Sequence, residues 1–410
     1  MPLLRDITSE YIGSLRYAER IIDREISIKP VARDIMALVG PRRSGKTFLM
    51  LLRARELLER GEQVIYVNFD EPSVSGMDAR TLATEVRREY PRGRVYLFMD
   101  EVQEWGEWDR KLRWLHDVMD FNIVVTGSSS SLLASEIPSR LRGRYSSLLV
   151  LPFSFREVSG GVAGEGFRGR GRLLGLFDEY LEYGGFPEVW LYKSREKLIN
   201  ILNTCLYRDI IERFDVRDIS VFRDVFFYVL SNYSNKVTLR SLKRLMEARG
   251  VKLDVKTVSN YLSYMEAAFL VFMVKIYAPS ERKKLISPRK VYVVDHGIAK
   301  LYPQGLYLGR VYENIVFIEL LRRGYDVYYY DYNGLEVDFV VLSNNRVVKL
   351  VEVTYEDDQV AEKIGKLRKV MKALRCPRAE IVTRELREDY SAGSIEIKIR
   401  PLWEWLLERG

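Results

Sequence analysis

Histidine and cysteine are almost missing from this chain: 410 residues contain only His116, His296, Cys205 and Cys376. Two cysteines are too few for a disulfide framework or a thiolate metal cage, and so little imidazole argues against zinc chemistry. No run of eighteen apolar residues occurs, so no membrane-spanning helix is predicted. The first ten residues carry Arg5, Asp6 and Glu10 without the apolar stretch that directs secretion, which leaves the cytoplasm as the expected compartment. Glutamine occurs only at 63, 103, 304 and 359, and arginine outnumbers lysine 45 to 20. Few thermolabile amides and many ion-pairing side chains are the composition expected of a thermophile.

What is present is globular: 47% hydrophobic and 30% charged residues, in a chain long enough for two to four domains. The net charge of +8 is unevenly placed. Residues 231–300 hold 14 basic and 5 acidic side chains, so that one segment carries essentially the whole excess.

Gly40-Pro41-Arg42-Arg43-Ser44-Gly45-Lys46-Thr47 fits the phosphate-binding loop G-x-x-x-x-G-K-[ST] without mismatch. Such a string arises by chance in roughly one chain in a hundred of this length, so its context decides. The apolar run Ile35 to Val39 feeds the loop, and Phe48 to Leu58 follows as a helix. Glycines at both ends let the backbone curl around an oxyanion, Lys46 can reach the β/γ-phosphates, and the Thr47 hydroxyl suits Mg²⁺. A nucleoside-triphosphate site is predicted, with ATP and Mg²⁺ as ligands. Strands are also predicted over Val64–Phe69, Val95–Met99, Ile123–Val125 and Leu148–Leu151. Helical or polar stretches between them imply a parallel α/β sheet with ligand groups at the C-terminal strand ends.

Asp100-Glu101 closes one of those strands. Asp100 is the expected Mg²⁺ carboxylate and Glu101 the group that orients or deprotonates the attacking water; an acidic pair at a helix start would look the same. Thr126-Gly127-Ser128-Ser129 ends the next strand, where Ser128 suits a γ-phosphate sensor or a helix cap. Ser139-Arg140-Leu141-Arg142-Gly143-Arg144 offers arginines, Arg142 and Arg144 among them, for an arginine finger on a neighbouring copy or for a solvated basic loop.

Together, the phosphate loop, Tyr66-Val67-Asn68-Phe69-Asp70-Glu71, Met99-Asp100-Glu101-Val102-Gln103, Thr126-Gly127-Ser128-Ser129-Ser130, Leu141-Arg142-Gly143-Arg144 and Leu151-Pro152-Phe153-Ser154-Phe155-Arg156-Glu157 carry a resemblance. The chain resembles archaeal and bacterial P-loop ATPases of the AAA+/STAND division whose C-terminal region is a PD-(D/E)xK nuclease-like domain. The likeness implies four parts: an ATPase core over 1–157, a helical lid over 158–230, a winged helix over 231–300 and a nuclease-like domain over 301–410. It also places Gly184-Gly185-Phe186-Pro187, with Gly185 and Pro187, near the adenine; read alone, those residues make only a tight helix-to-helix turn.

Val255, Val258, Leu262, Met265 and Phe269 make an apolar stripe on one helix, preceded by a helix over 238–246 and followed by strands at 272–276 and 291–294. This pattern spells a winged helix-turn-helix. Lys252, Lys256 and Asn260 on its helices, with Arg282, Lys283, Lys284, Arg289 and Lys290 in the loop from 278 to 290, suit DNA phosphates. In the resembled family the module also serves as a structural joint, and Tyr261 and Tyr264 fit core or interface.

A helix with Glu313 and a hairpin with Asp338 and Glu352-Val353-Thr354 follow. The resemblance sets Asp338 and Glu352 where PD-(D/E)xK nucleases carry metal carboxylates, with Glu313 as the helix carboxylate. Two carboxylates on adjacent strands can share Mg²⁺ and activate water. The lysine position is Thr354, Lys349 points to the other strand face, and only Lys363 or Lys366 from the next helix can substitute. An inactive platform is favoured, and Trp403 and Trp405 are expected to staple this domain. The reading is an ATPase whose nucleotide state repositions the later parts on DNA. A nucleotide-gated switch binding a protein partner or another copy, or an active nuclease, are the alternatives.

Overall fold

A strand covered by helices on both faces needs a continuous apolar run, and Ile35-Met36-Ala37-Leu38-Val39 is buried along its whole length. The computed structural model describes residues 4–29, 34–127, 145–160, 166–301, 307–393 and 395–408. The chain divides into two units, Met1–Pro152 and Phe153–Gly410.

The first unit runs α1 (Leu4–Ser14), β1 (Ile35–Val39), α2 (Lys46–Glu59), β2 (Gln63–Asn68), α3 (Ala79–Glu89), β3 (Val95–Asp100), α4 (Trp108–Val118), β4 (Phe121–Thr126) and β5 (Tyr145–Leu149). All strand pairs are parallel, in the order β2-β3-β4-β1-β5. The expected parallel α/β sheet is therefore present. Helix α2 sets Leu49, Met50, Leu51, Ala54 and Leu57 against Met36, Leu38, Val64 and Tyr66 of the sheet. Helix α1, which no motif marks, joins β2 through a hydrogen bond from the Tyr66 N–H to the Thr8 hydroxyl (3.0 Å). The Tyr11 and Tyr66 rings meet at 5.0 Å.

In the second unit, the Ser154-x-x-Glu157 capping box starts α5 (Phe155–Ser159). Helices α6 (Gly166–Tyr183), α7 (Pro187–Tyr192), α8 (Arg195–Thr204) and α9 (Ile219–Ser231) follow. A small sheet comes next: β6 (Lys236–Val237), α10 (Leu239–Ala248), α11 (Val255–Ala267), β7 (Val271–Val274), α12 (Glu281–Ile286) and β8 (Arg289–Val293), with antiparallel strands ordered β6-β8-β7. Val258, Leu262 and Met265 of the apolar stripe are buried, whereas Val255 is exposed. Tyr261 is core against Phe222, and Tyr264 stacks on Phe214 at 4.1 Å. The segment from 278 to 290, read as one basic loop, instead folds into α12 and the first residues of β8. Ser280 caps α12 by accepting the Lys283 N–H, and Glu281 sits favourably in its first turn.

The chain ends with α13 (Leu308–Arg322), β9 (Asp326–Tyr332), β10 (Leu335–Ser343), β11 (Arg346–Val353), α14 (Val360–Leu374), β12 (Arg378–Thr383), β13 (Glu388–Ala392), β14 (Ile395–Pro401) and α15 (Leu402–Leu407). Its mixed sheet is ordered β13-β14-β12-β11-β10-β9. Leu367, Val370 and Met371 of α14 cover Val340, Leu350, Ile381 and Ile397. Trp405 is buried and donates its indole N–H to Glu380 (2.8 Å), a structural use of that ring. Both cysteines are buried and neither forms a disulfide.

Candidate nucleotide site

The loop between β1 and α2 packs against the segment that follows β5. The Val150 N–H donates to the Val39 carbonyl (2.8 Å), and a Cβ on Gly40, at φ +144°, would lie 2.3 Å from the Val150 carbonyl oxygen. Only glycine fits there. The Lys46 ammonium turns inward and donates to the carbonyls of Gly40 (3.0 Å) and Pro41 (2.8 Å). The loop thus holds its cation against its own first two carbonyls. Ser44 is buried, and its carbonyl accepts from Arg24 (3.0 Å), whose other nitrogen reaches the Leu151 carbonyl (2.6 Å). Gly45 caps α2 with φ 93°. Arg42 is half-buried and Arg43 exposed with φ 63°, while half-buried Phe48 packs on the core beneath the loop.

Strand β3 brings Asp100 to the same sheet edge. The carboxylate is 1% exposed and fully engaged. Its Oδ1 accepts the Thr126 hydroxyl and the Glu101 N–H (3.1 Å), and its Oδ2 accepts the Tyr66 hydroxyl (2.8 Å). The Thr47 hydroxyl also favours its charged form. Burial pushes the Asp100 carboxyl above its ordinary range, with the hydroxyls of Thr126, Thr47 and Tyr66 working against that push. Glu101 sits in the left-handed region at φ 50°, uncommon for a residue with a side chain, and its carboxylate accepts the Gln103 amide. Strand order explains these contacts: β4 lies between β1 and β3, which sets Thr126 next to Asp100.

Lys46 and Thr47 open α2, while Asp100 closes β3 and Glu101 follows it. Tyr66, Thr126 and Arg24 reach these groups through sheet order and chain return, which no local pattern reveals, whereas Gln103 reaches Glu101 from two residues along the chain. Ser128, Arg140, Arg142 and Arg144 lie outside the described residues.

Gly185 and Pro187 lie in the second unit. Gly185 donates its N–H to Asp295 (2.7 Å) and accepts the Phe153 N–H (2.7 Å). A Cβ on Gly185 would lie 2.2 Å from the Phe153 carbonyl oxygen. Pro187 opens α7. Lys252, Lys256 and Arg282 are exposed. Lys283 lies 4.5 Å from the Tyr332 ring, and Lys284 pairs with Glu281 at 2.6 Å. Lys290, expected in a phosphate-facing loop, is instead buried against Glu313 and Asp338. Thr354 is buried, with its hydroxyl on the Glu356 carbonyl (2.8 Å). Lys349 pairs with Glu380 (2.8 Å), away from Glu352. Among the described residues, no three His, Cys, Asp or Glu side chains converge to hold a metal ion, and no helix is long and apolar enough to cross a membrane.

A family model described as an AAA domain matches residues 32–159, and two described only as domains of unknown function match 174–303 and 308–405. An uncharacterized protein of Methanocaldococcus jannaschii is 29% identical over 414 residues, covering 95% of this chain and 91% of that one. An uncharacterized protein of Haemophilus influenzae is 29% identical over 334 residues, covering 78% and 82%. Among solved structures, the Walker-type ATPase of Pyrococcus abyssi is similar at a TM-score of 0.39 and 16% identity, covering 72% of this chain and 95% of that one. The ORC1 protein of Aeropyrum pernix in complex with DNA is similar at 0.25 and 13%, covering 78% and 92%. The chain is α/β: a parallel sheet lies in the region that matches the AAA domain model, and helical and further sheet regions follow.

Proposed function

We propose that this chain binds ATP with Mg²⁺ and hydrolyses it, and that its nucleotide state repositions the second unit on DNA. One observation carries the first half. The phosphate-loop motif runs from β1 straight into α2, and the buried Asp100 carboxylate closes β3 of the same parallel sheet. The Thr47 hydroxyl and an Asp100 oxygen would hold Mg²⁺, which supplies charge neutralisation at the transferring phosphoryl group. Lys46 exchanges the Gly40 and Pro41 carbonyls for phosphate oxygens, and the N-terminus of α2 adds its positive end. Thr126 and Tyr66 fix the Asp100 carboxylate. Glu101 orients or deprotonates water once its carboxylate leaves Gln103.

In the same reading, Ser128 senses the γ-phosphate or the attacking water, and Arg142 or Arg144 completes a neighbouring copy's site. Gly185 and Pro187 border the adenine. The core over 1–157 drives a lid over 158–230, a winged helix over 231–300 and a nuclease-like platform over 301–410. Exposed Lys252, Lys256 and Arg282, with Lys283 and Lys284 near them, supply the cationic face toward DNA phosphates.

The bond between Glu101 and Gln103 favours a second reading, in which ATP is held with little turnover as a switch for a protein partner. Phosphate release by the full chain separates the two. Hydrolysis that stops on chelating Mg²⁺ and in Glu101→Gln supports the ATPase. Hydrolysis unaffected by Glu101→Gln contradicts the assigned base.

A further inference from the structure

Strand β8 alternates faces, so Lys290 and Tyr292 point the same way. Both reach Glu313 on α13. The Tyr292 hydroxyl donates to Glu313 Oε1 (2.6 Å), and Lys290 Nζ lies 3.0 Å from the same oxygen. Lys290 also lies 3.1 Å from Asp338 Oδ1 and 3.3 Å from Glu336 Oε1, both on β10. The ammonium is deep inside the protein, in a residue 4% exposed. Next to it, Glu352 has one oxygen on Lys363 (2.6 Å) and the other on Lys366 (2.8 Å), while Asp338 Oδ2 accepts the Val353 N–H (3.0 Å).

The resemblance implies a divalent ion on Asp338 and Glu352. The residues present do not fit one. Asp338 Oδ1 is bonded to an ammonium, and the two oxygens of Glu352 are bonded to two more. A Mg²⁺ ion needs oxygens at about 2.0–2.1 Å and would lie against the Lys290 charge. Lys236, Lys290, Lys363 and Lys366 face Asp331, Glu336, Asp338, Glu352 and Glu313. The carboxylates of this cluster thus already have resident cations, and a divalent ion would have to displace them.

We propose that Lys290 is the resident cation of the Glu313–Asp338 pocket, standing where a divalent metal would otherwise bind and locking β8 to the C-terminal sheet. Its ammonium must leave before any hard divalent ion can enter. Other contacts run along the same seam: the Asn314 amide bonds both the Val293 N–H and its carbonyl, and the Tyr292 and Phe317 rings stack at 4.2 Å. Strand β8 and the six-stranded sheet accordingly move together.

Mn²⁺ added to the full chain without nucleotide, with free Mn²⁺ counted by electron paramagnetic resonance, tests this. Lys290→Met keeps most of the aliphatic stem and removes the charge. It is expected to take up one more Mn²⁺ per chain than wild type, and Lys290→Met with Asp338→Asn is expected to lose that extra ion. A folded Lys290→Met protein without the extra Mn²⁺ overturns the proposal. A wild-type chain that binds Mn²⁺ in an Asp338→Asn-sensitive way also overturns it, a result that stands even if Lys290→Met fails to fold. Wild type without such binding supports it.

Discussion

Glu313→Gln is expected to make the stability of the second unit less sensitive to pH between about 5 and about 8. Burial first, and the Asp338 charge second, raise the Glu313 carboxyl from 4.5 to about 7. A raised carboxyl holds its proton longer in the folded chain than in the unfolded one. Its contribution is therefore fully present below about pH 4.5 and is lost as pH rises through about 7. At 1.36 kcal/mol per pH unit, the span from 4.5 to about 7 is worth about 3 kcal/mol. The groups facing Glu313 act elsewhere. Burial pushes the Asp338 carboxyl up, but Lys290, Lys363 and the Val353 N–H outweigh it and hold it below its ordinary range, so its loss comes in stronger acid. Burial opposes the Lys290 charge, but Tyr292, Asp338, Glu313 and Glu336 outweigh it, so its contribution is lost only in strong base. Glutamine matches the protonated acid in size and in hydrogen-bonding capacity. Thermal unfolding of the two proteins should therefore coincide at about pH 5. At about pH 8 the variant should melt higher by roughly 5–10 °C. A gap of equal size at both pH values would refute the reasoning.

Gln103→Ala should raise the basal rate of ATP turnover, because it removes the amide that the Glu101 carboxylate accepts. One hydrogen bond to a charged group, at about 1.5 kcal/mol, corresponds to about tenfold; steady-state phosphate release measures it, and a slower variant would show that Gln103 positions Glu101 instead of withholding it. Replacing Lys252, Lys256 and Arg282 together by alanine should lower the slope of log affinity for duplex DNA against log salt by about 2.7, at about 0.9 for each lost phosphate contact. An unchanged slope would remove these residues from any DNA interface.

Continuous apolar runs made the parallel strands legible, and the unbroken loop motif made the site's centre legible. Pairing across the sheet was not. Thr126 meets Asp100 because β4 lies between β1 and β3, an order that no local pattern encodes. Arg24 supports the loop from twenty residues upstream, through backbone carbonyls that any sequence supplies. Lys290 is the instructive failure. Among Arg282, Lys283, Lys284 and Arg289 it read as one more phosphate contact. Its partners Glu313, Glu336 and Asp338 come 23 to 48 residues later and meet it only through the face of β8. Lys236 is likewise committed, to Asp331 and Glu336 at 2.7 Å each. Part of the positive excess of residues 231–300 therefore neutralises acids of β9 and β10 within the same unit.

Hydrolysis of ATP by the purified full chain, compared with Glu101→Gln at matched occupancy of nucleotide, tests the central claim most directly. The site predicts that both proteins bind ATP alike and that the variant turns it over about 10²–10⁴-fold more slowly, the usual contribution of a general base. Equal turnover in the two proteins, or binding lost along with turnover, would contradict the roles assigned to Glu101 and Asp100.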